Sequence, residues 1–205
     1  MPRGLSPGPD GELRCWWATS APEYVAYHDD EWGRPVLDDS GLFERLCLEA
    51  FQSGLSWLTI LRKREAFRAA FKEFEIAAVA AFGTTDLRRL LTDDGIVRNR
   101  AKIEAAIANA QAAQRLAEDG ESLSGLIWSF VPRRPRTPRR RSDLPATTRE
   151  STALAAELKR RGFRFVGPTT AYALMQACGI VNDHLAGCAA RGQVEAERRA
   201  VRSRV

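Results

Sequence analysis

The chain is short of the side chains that most often do chemistry near neutral pH: 205 residues include two His, four Cys and two Met. It also lacks any apolar run near the roughly 20 residues that a membrane helix needs. Its first fourteen residues carry Pro and Gly where an export signal would carry an apolar core. Without such a signal, Cys15, Cys47, Cys178 and Cys188 read as thiols or metal ligands, not as a disulfide framework. No internal repeat and no convincing pair of alternating strands is present. What remains is the composition of an ordinary globular protein, 44% hydrophobic and 28% charged, and the expectation is a cytoplasmic one.

The net charge of +5 is unevenly spread. Residues 133–142 (RRPRTPRRRS) hold six Arg and no acid, and residues 189–205 add a further +3, leaving the rest at −4. A surface for nucleic acid on the folded body therefore has to be a local patch and not a global field.

Helical periodicity dominates. Phe43, Leu46, Cys47 and Ala50 share one face of a helix over 40–52, with Asp38, Asp39 and Ser40 as caps. Further helices are expected over 64–73, 75–82, 85–92, 99–118, 122–130, 148–161 and 169–180. Thr147 and Glu150 have the spacing of a capping box, and Gly162 sits where a left-handed helix end is expected. Four prolines make 132–146 a loop, expected to be mobile. The organisation is thus read as a disordered lead-in (1–14), an all-α domain (15–188) and a basic tail (189–205).

Two constellations stand out. Cys15 precedes His28 by thirteen residues and His184 precedes Cys188 by four. Two imidazoles and two thiolates complete a tetrahedral set for one Zn²⁺, with no position left for water, so such a site is structural. Either pair alone also fits a small buried thiol and a hydrogen-bonded histidine. The second constellation is Leu90–Ile103, which reads as helix, Gly95 turn, helix. Arg98, Arg100 and Lys102 lie beside the free amides of the second helix, an arrangement that suits a DNA phosphate. It fits an ordinary helix–helix connection with a solvated basic edge as well.

These segments, with YVAYHDDEWGRP (24–35), LFERLCLEAFQSGLSWLTILRKREAFRAAF (42–71), SFVP (129–132) and KRRGFRFVGPTTAYALMQACGIVNDHLAGC (159–188), resemble the bacterial 3-methyladenine DNA glycosylase I family from Cys15 to Cys188. The resemblance implies a helix-hairpin-helix glycosylase fold, with one structural zinc on Cys15, His28, His184 and Cys188 tying the ends together. It implies a base pocket of Tyr27, Glu49 and Trp57, with Glu49 as the catalytic carboxylate. Gln52, Gly54 and Leu55 match the segment that enters the gap left by an extruded nucleotide, Leu55 as the wedge. The DNA-binding set is completed by Gly95, Arg98, Arg100 and Lys102.

The implied reaction is hydrolysis of the N-glycosidic bond of an alkylated adenine in double-stranded DNA. It leaves an abasic strand without lyase cleavage, and the enzyme acts as a monomer, at the nucleoid and not at a membrane. A cationic base gains from an aromatic face and a carboxylate. The Arg-rich loop and the tail are not matched by the family pattern. The rival readings are a non-catalytic DNA-damage binder of the same fold and a zinc-dependent interaction module.

Overall fold

A computed structural model describes residues 4–202. The regular structure of the described chain is helical except for one small hairpin, in which β1 (Leu5–Pro7) pairs antiparallel with β2 (Leu13–Cys15), Leu5 opposite Cys15. Residues 4–14, expected to be a disordered lead-in, are ordered because Leu5 and Cys15 bury themselves against Leu185, Cys188 and Ala190. Met1–Arg3 of that lead-in and residues 203–205 of the expected tail lie outside the described residues.

Ten helices follow: α1 (Pro22–Asp30), α2 (Asp39–Gln52), α3 (Trp57–Ala70), α4 (Ile76–Ala80), α5 (Thr84–Thr92), α6 (Arg100–Glu118), α7 (Leu123–Trp128), α8 (Arg149–Arg160), α9 (Pro168–Ala177) and α10 (Arg191–Arg202). The large core is built around α2, whose Leu42, Phe43, Leu46, Leu48 and Phe51 are all buried. Phe51 packs on Phe67 of α3 and on Phe71, and Phe71 stacks on Phe74, with ring centroids 5.5 Å apart. Such aromatic pairs each add about 0.5–1.5 kcal/mol beyond area burial. The smaller cluster gathers the two chain ends, and Trp32 packs against both.

The caps follow the side chains available. Asp38 accepts from the Gly41 amide at 2.6 Å, and Asp39 accepts from Leu123 and Ser124 at the start of α7. The capping box of α8 sits one residue later than the spacing suggests, between Thr148 and Ser151. Gly162 has the expected positive φ, +92°. Helix α3 starts at Trp57, seven residues before the expected start, because Ser56 caps it through the Thr59 amide.

Helices α1 and α10 escape the periodic pattern. The segment expected as a basic tail forms α10, anchored by buried Val194 and Arg198. Arg198 donates to the carbonyls of Gly179 and Ile180 just past α9, where a cation also meets the negative helix end. The folded unit therefore does not stop at Cys188.

The 132–146 loop, expected to be mobile, is tethered. Its Pro138 carbonyl accepts from the Ala186 amide at 2.7 Å, Arg191 reaches Thr137 Oγ1, and Asp143 accepts from the amides of Arg139 and Arg140.

Gly179 is the position that backbone geometry requires to be glycine. Its φ is +75°, and a Cβ there would lie 2.7 Å from the Gly33 carbonyl oxygen and 2.7 Å from Pro35 N. This close approach seats the 31–36 turn on the end of α9. Gly179→Ala should cost about 2 kcal/mol or more in urea unfolding, from combined strain and overlap. A loss under 0.5 kcal/mol would show that this contact is not needed.

Candidate functional site

Helices α1, α2, α3 and α9 enclose a cavity of about 500 Å³ lined by aromatic side chains, including Trp17, Tyr24, Tyr27, Trp32 and Trp57. The volume falls in the roughly 300–1,000 Å³ range of small-molecule clefts. Trp17 is the hub of one wall: its ring meets Trp32 at 5.1 Å, Tyr24 at 5.6 Å and Tyr27 at 6.3 Å. The Tyr27 and Trp57 rings are 5.3 Å apart. Tyr24 fixes the start of α3 by accepting from the Leu58 amide at 2.9 Å.

Glu49 lies in this aromatic wall, 7% exposed, on the face of α2 that meets α9. No described residue gives its carboxyl a hydrogen bond or an ion pair. Burial therefore pushes its pKa from 4.5 up to about 8. Tyr27 beside it is held well above the usual phenol range, by burial first and by Glu49 second, and keeps its proton. The Trp57 indole N–H is buried without a partner among the described residues. A neutralised acid and an idle donor inside an aromatic box are what a planar, polar-edged, cationic ligand would satisfy.

At the far side of Trp17 and Trp32 lies the thiol–imidazole cluster. The ligand atoms of Cys15, His28 and Cys188 lie within 4.8 Å of one another, all buried. Cys188 Sγ is 3.4 Å from His28 Nε2, close to the tetrahedral edge of about 3.3–3.8 Å that zinc bonds of ordinary length would give. His28 Nδ1 lies 2.7 Å from Asp29 Oδ1, which turns Nε2 inward as in metal sites with a carboxylate behind the imidazole. The Leu185 amide donates to Cys15 Sγ, and the Cys188 thiol is pulled well down, by Cys15 first and also by His28. His184, the fourth expected ligand, stays outside this trio. Its ring is 4.7 Å from that of His28, and Asn182 Oδ1 lies 3.1 Å from its Nδ1. Burial holds its pKa near 4, so it stays neutral.

Known proteins resemble this chain in sequence and fold. A family model described as methyladenine glycosylase matches residues 17–191. The chain belongs to the methyladenine glycosylase family. It is 49% identical over 177 residues to DNA-3-methyladenine glycosylase 1 of Escherichia coli, covering 85% of this chain and 95% of that one. A crystal structure of 3-methyladenine DNA glycosylase I superposes with a TM-score of 0.83 at 48% identity, covering 86% of this chain and 98% of the other. The Staphylococcus aureus enzyme, solved to explain its 3-methyladenine recognition, gives 0.81 at 38% identity, covering 85% of this chain and 94% of that one.

Within this family member, the fold brings Tyr27, Glu49, Gln52 and Trp57 to one cavity. Gly54, with φ +81°, and Leu55, 42% exposed, form the turn between α2 and α3 at its edge. Lys102 departs from expectation. It is buried, and its ammonium donates to the carbonyls of Phe51 and Ser53 at 2.9 and 2.5 Å. It thus closes the end of α2 and shapes the turn that carries Leu55; it is not turned toward a phosphate. Gly95 does not use a positive φ either. Its role is a close approach to α3, since a Cβ would meet that of Ala66 at 2.9 Å. Arg98 and Arg100 are exposed, as expected.

Sequence reasoning missed Trp17, Tyr24, Trp32 and Gln176. Gln176 donates to the buried carboxylate of Asp183 at 2.8 Å, which orients its amide at the cavity wall. It also missed the α8–α9 turn, where Phe165 is exposed at φ +55° and Gly167 leaves the start of α9 without a side-chain cap. The signal was present in RGFRFVGP, whose glycines and proline bracket two aromatics.

Glu49 carries a testable stability cost. A group whose folded pKa is raised contributes stability that is full below its unfolded value, 4.5, and lost as pH rises through about 8. Glu49→Gln removes that loss. The variant should melt about 5 °C or more above the wild type at pH 9 and converge with it toward pH 5. A wild type that is the more stable form at pH 9 would contradict an unpaired buried carboxyl.

Proposed function

We propose that the aromatic cavity around Glu49 receives the extruded alkylated base when this chain acts as a DNA-3-methyladenine glycosylase, the activity of its family. What carries the reading is the buried, partnerless carboxyl of Glu49, which lines the cavity together with Tyr27 and Trp57. A neutral adenine does not favour ionising that acid; a base methylated at N3 is cationic while it is still joined to the sugar, and does. Ionised Glu49 accepts from the exocyclic amine while Trp57 and Tyr27 cover the ring.

When the N-glycosidic bond breaks, its electron pair goes to the base, which departs neutral, and the positive charge passes to the sugar. Water then adds to C1′ and loses its proton to solvent. The cavity lining contains no lysine, so no Schiff base forms and the strand stays intact.

Double-stranded DNA would meet the molecule at the α2–α3 turn, with Leu55 filling the gap and Gln52 and Gly54 beside it. Two hairpins are candidates for the backbone. The α5–α6 turn offers Gly95, Arg98 and Arg100. The α8–α9 turn is the better placed, because α9 carries both the uncapped amides at its start and two residues of the cavity wall, Ala173 and Gln176.

The Cys15, His28 and Cys188 cluster fits Zn²⁺ by donor chemistry and spacing; His184, outside that trio but in ring contact with His28, would have to move in to be the fourth ligand. Bound there, the metal supplies a closed structural tie between the first and last parts of the domain and takes no part in the reaction.

In a release assay on methylated duplex DNA, kcat/KM should rise with pH and level off above about 8, since this ratio reports the free enzyme. Glu49→Gln should be flat and about 100-fold slower on the plateau. Wild-type protein that binds methylated DNA but frees no base would leave only a damage-binding protein. Metal analysis of freshly purified protein should give one zinc per chain. Cys188→Ala should lose that zinc together with about 5–10 °C of Tm. Full stability without metal would remove the tie.

A further inference from the structure

The Arg-rich loop lies outside the pocket machinery described so far, yet its end reaches the cavity. Leu144 lines the cavity itself. Three residues earlier, the Arg141 guanidinium stands over the Trp16 ring, 5.3 Å from its centroid. Trp16 is shared: one side helps to line the base cavity, and the other forms an open cleft with Gly4, Arg140, Arg141 and Ser142.

The chemistry of Arg141 is unspent. It is exposed, and no described residue accepts a hydrogen bond from it. Stacking occupies the face of a guanidinium and leaves its edge donors free, in the planar fork that matches a phosphate. Its neighbour differs: Arg140 is paired with Asp143 at 2.9 Å. That pair and two amides satisfy Asp143, and no described acid forms an ion pair with Arg141. The tethers at Pro138, Thr137 and Asp143 hold the loop where it is, which lowers the entropy cost of using it.

We propose that Arg141 is a phosphate-binding residue at the mouth of the base cavity, pre-set by Trp16 to grip the DNA backbone beside the extruded nucleotide. This rests on the glycosylase reading above. A base seated in the cavity leaves its sugar and flanking phosphates at the mouth, beside Trp16. The chain outside the loop and tail is net negative, at −4, so a fixed cation there matters for holding the extruded state.

The test is binding to a duplex with a stable abasic analogue, titrated across salt, for wild type, Arg141→Ser and Arg141→Lys. Losing one phosphate contact should reduce the log–log salt slope by about 0.9 in Arg141→Ser and raise Kd about fivefold to tenfold at low salt. Arg141→Lys should keep the slope and recover only part of the affinity, because an ammonium neither forks nor stacks as a guanidinium does. Binding of free 3-methyladenine, followed by tryptophan fluorescence, should be the same in all three. An unchanged slope in Arg141→Ser, with wild-type base release intact, would overturn the clamp. So would an equal loss of free-base binding, which would make Arg141 a wall of the cavity. Wild-type protein that releases no base would instead overturn the reading on which the clamp rests.

Discussion

A carboxyl buried without a cation beside it is costly, and the fold around Glu49 is arranged so that this cost is not relieved within the protein. Arg45 and Arg64, the nearby cations of α2 and α3, are turned to Glu31 instead. The walls that face Glu49 are rings, whose low polarity raises its pKa and whose faces suit a flat cation. The stability forgone is on the order of a few kcal/mol at alkaline pH, a large fraction of the margin of a domain this size. Under the function proposed above, a cationic base entering the cavity would recover it, and the carboxyl would then act as a charge sensor as much as a hydrogen-bond acceptor.

Such a wall has to be stiff, and the stiffness comes from the chain ends. Trp17 and Trp32 belong to the cavity on one side and contact the imidazole cluster on the other, with Trp17 5.2 Å from His28 and Trp32 4.6 Å from His184. Anything that ties Cys15 and His28 to Cys188 therefore also fixes two of the rings that line the cavity. Helix α10 adds a second brace through Arg198, which holds the end of α9 behind Gln176. The thiol–imidazole cluster and the cavity share one aromatic layer.

How much of this was legible in the sequence depended on whether a signal was local. The α2 helix, with its caps and apolar face, was plain, as was the left-handed Gly162. Helix α1 was not, because its buried residues, Tyr27 and His28, face a pocket and a thiol–imidazole cluster and show no single apolar stripe. Helix α10 was hidden because its anchor is a buried arginine. The motif resemblance reached Tyr27, Glu49 and Trp57, but it could not say that Lys102 turns inward to the Phe51 and Ser53 carbonyls. That orientation is set by another helix fifty residues away. The hairpin at 5–15 was missed for the same reason, since its partner surface lies at 185–190.

If Glu49 is protonated in the free protein and ionises for a cationic base, as proposed, binding of that base must release a proton. Calorimetric titration at pH 7 with a permanently cationic dialkylated adenine, repeated in buffers of different ionisation enthalpy, measures the protons exchanged on binding. Nearly one proton should be released per ligand bound, and none in Glu49→Gln. Binding with no proton release, or equal affinity for neutral adenine, would contradict that ionisation.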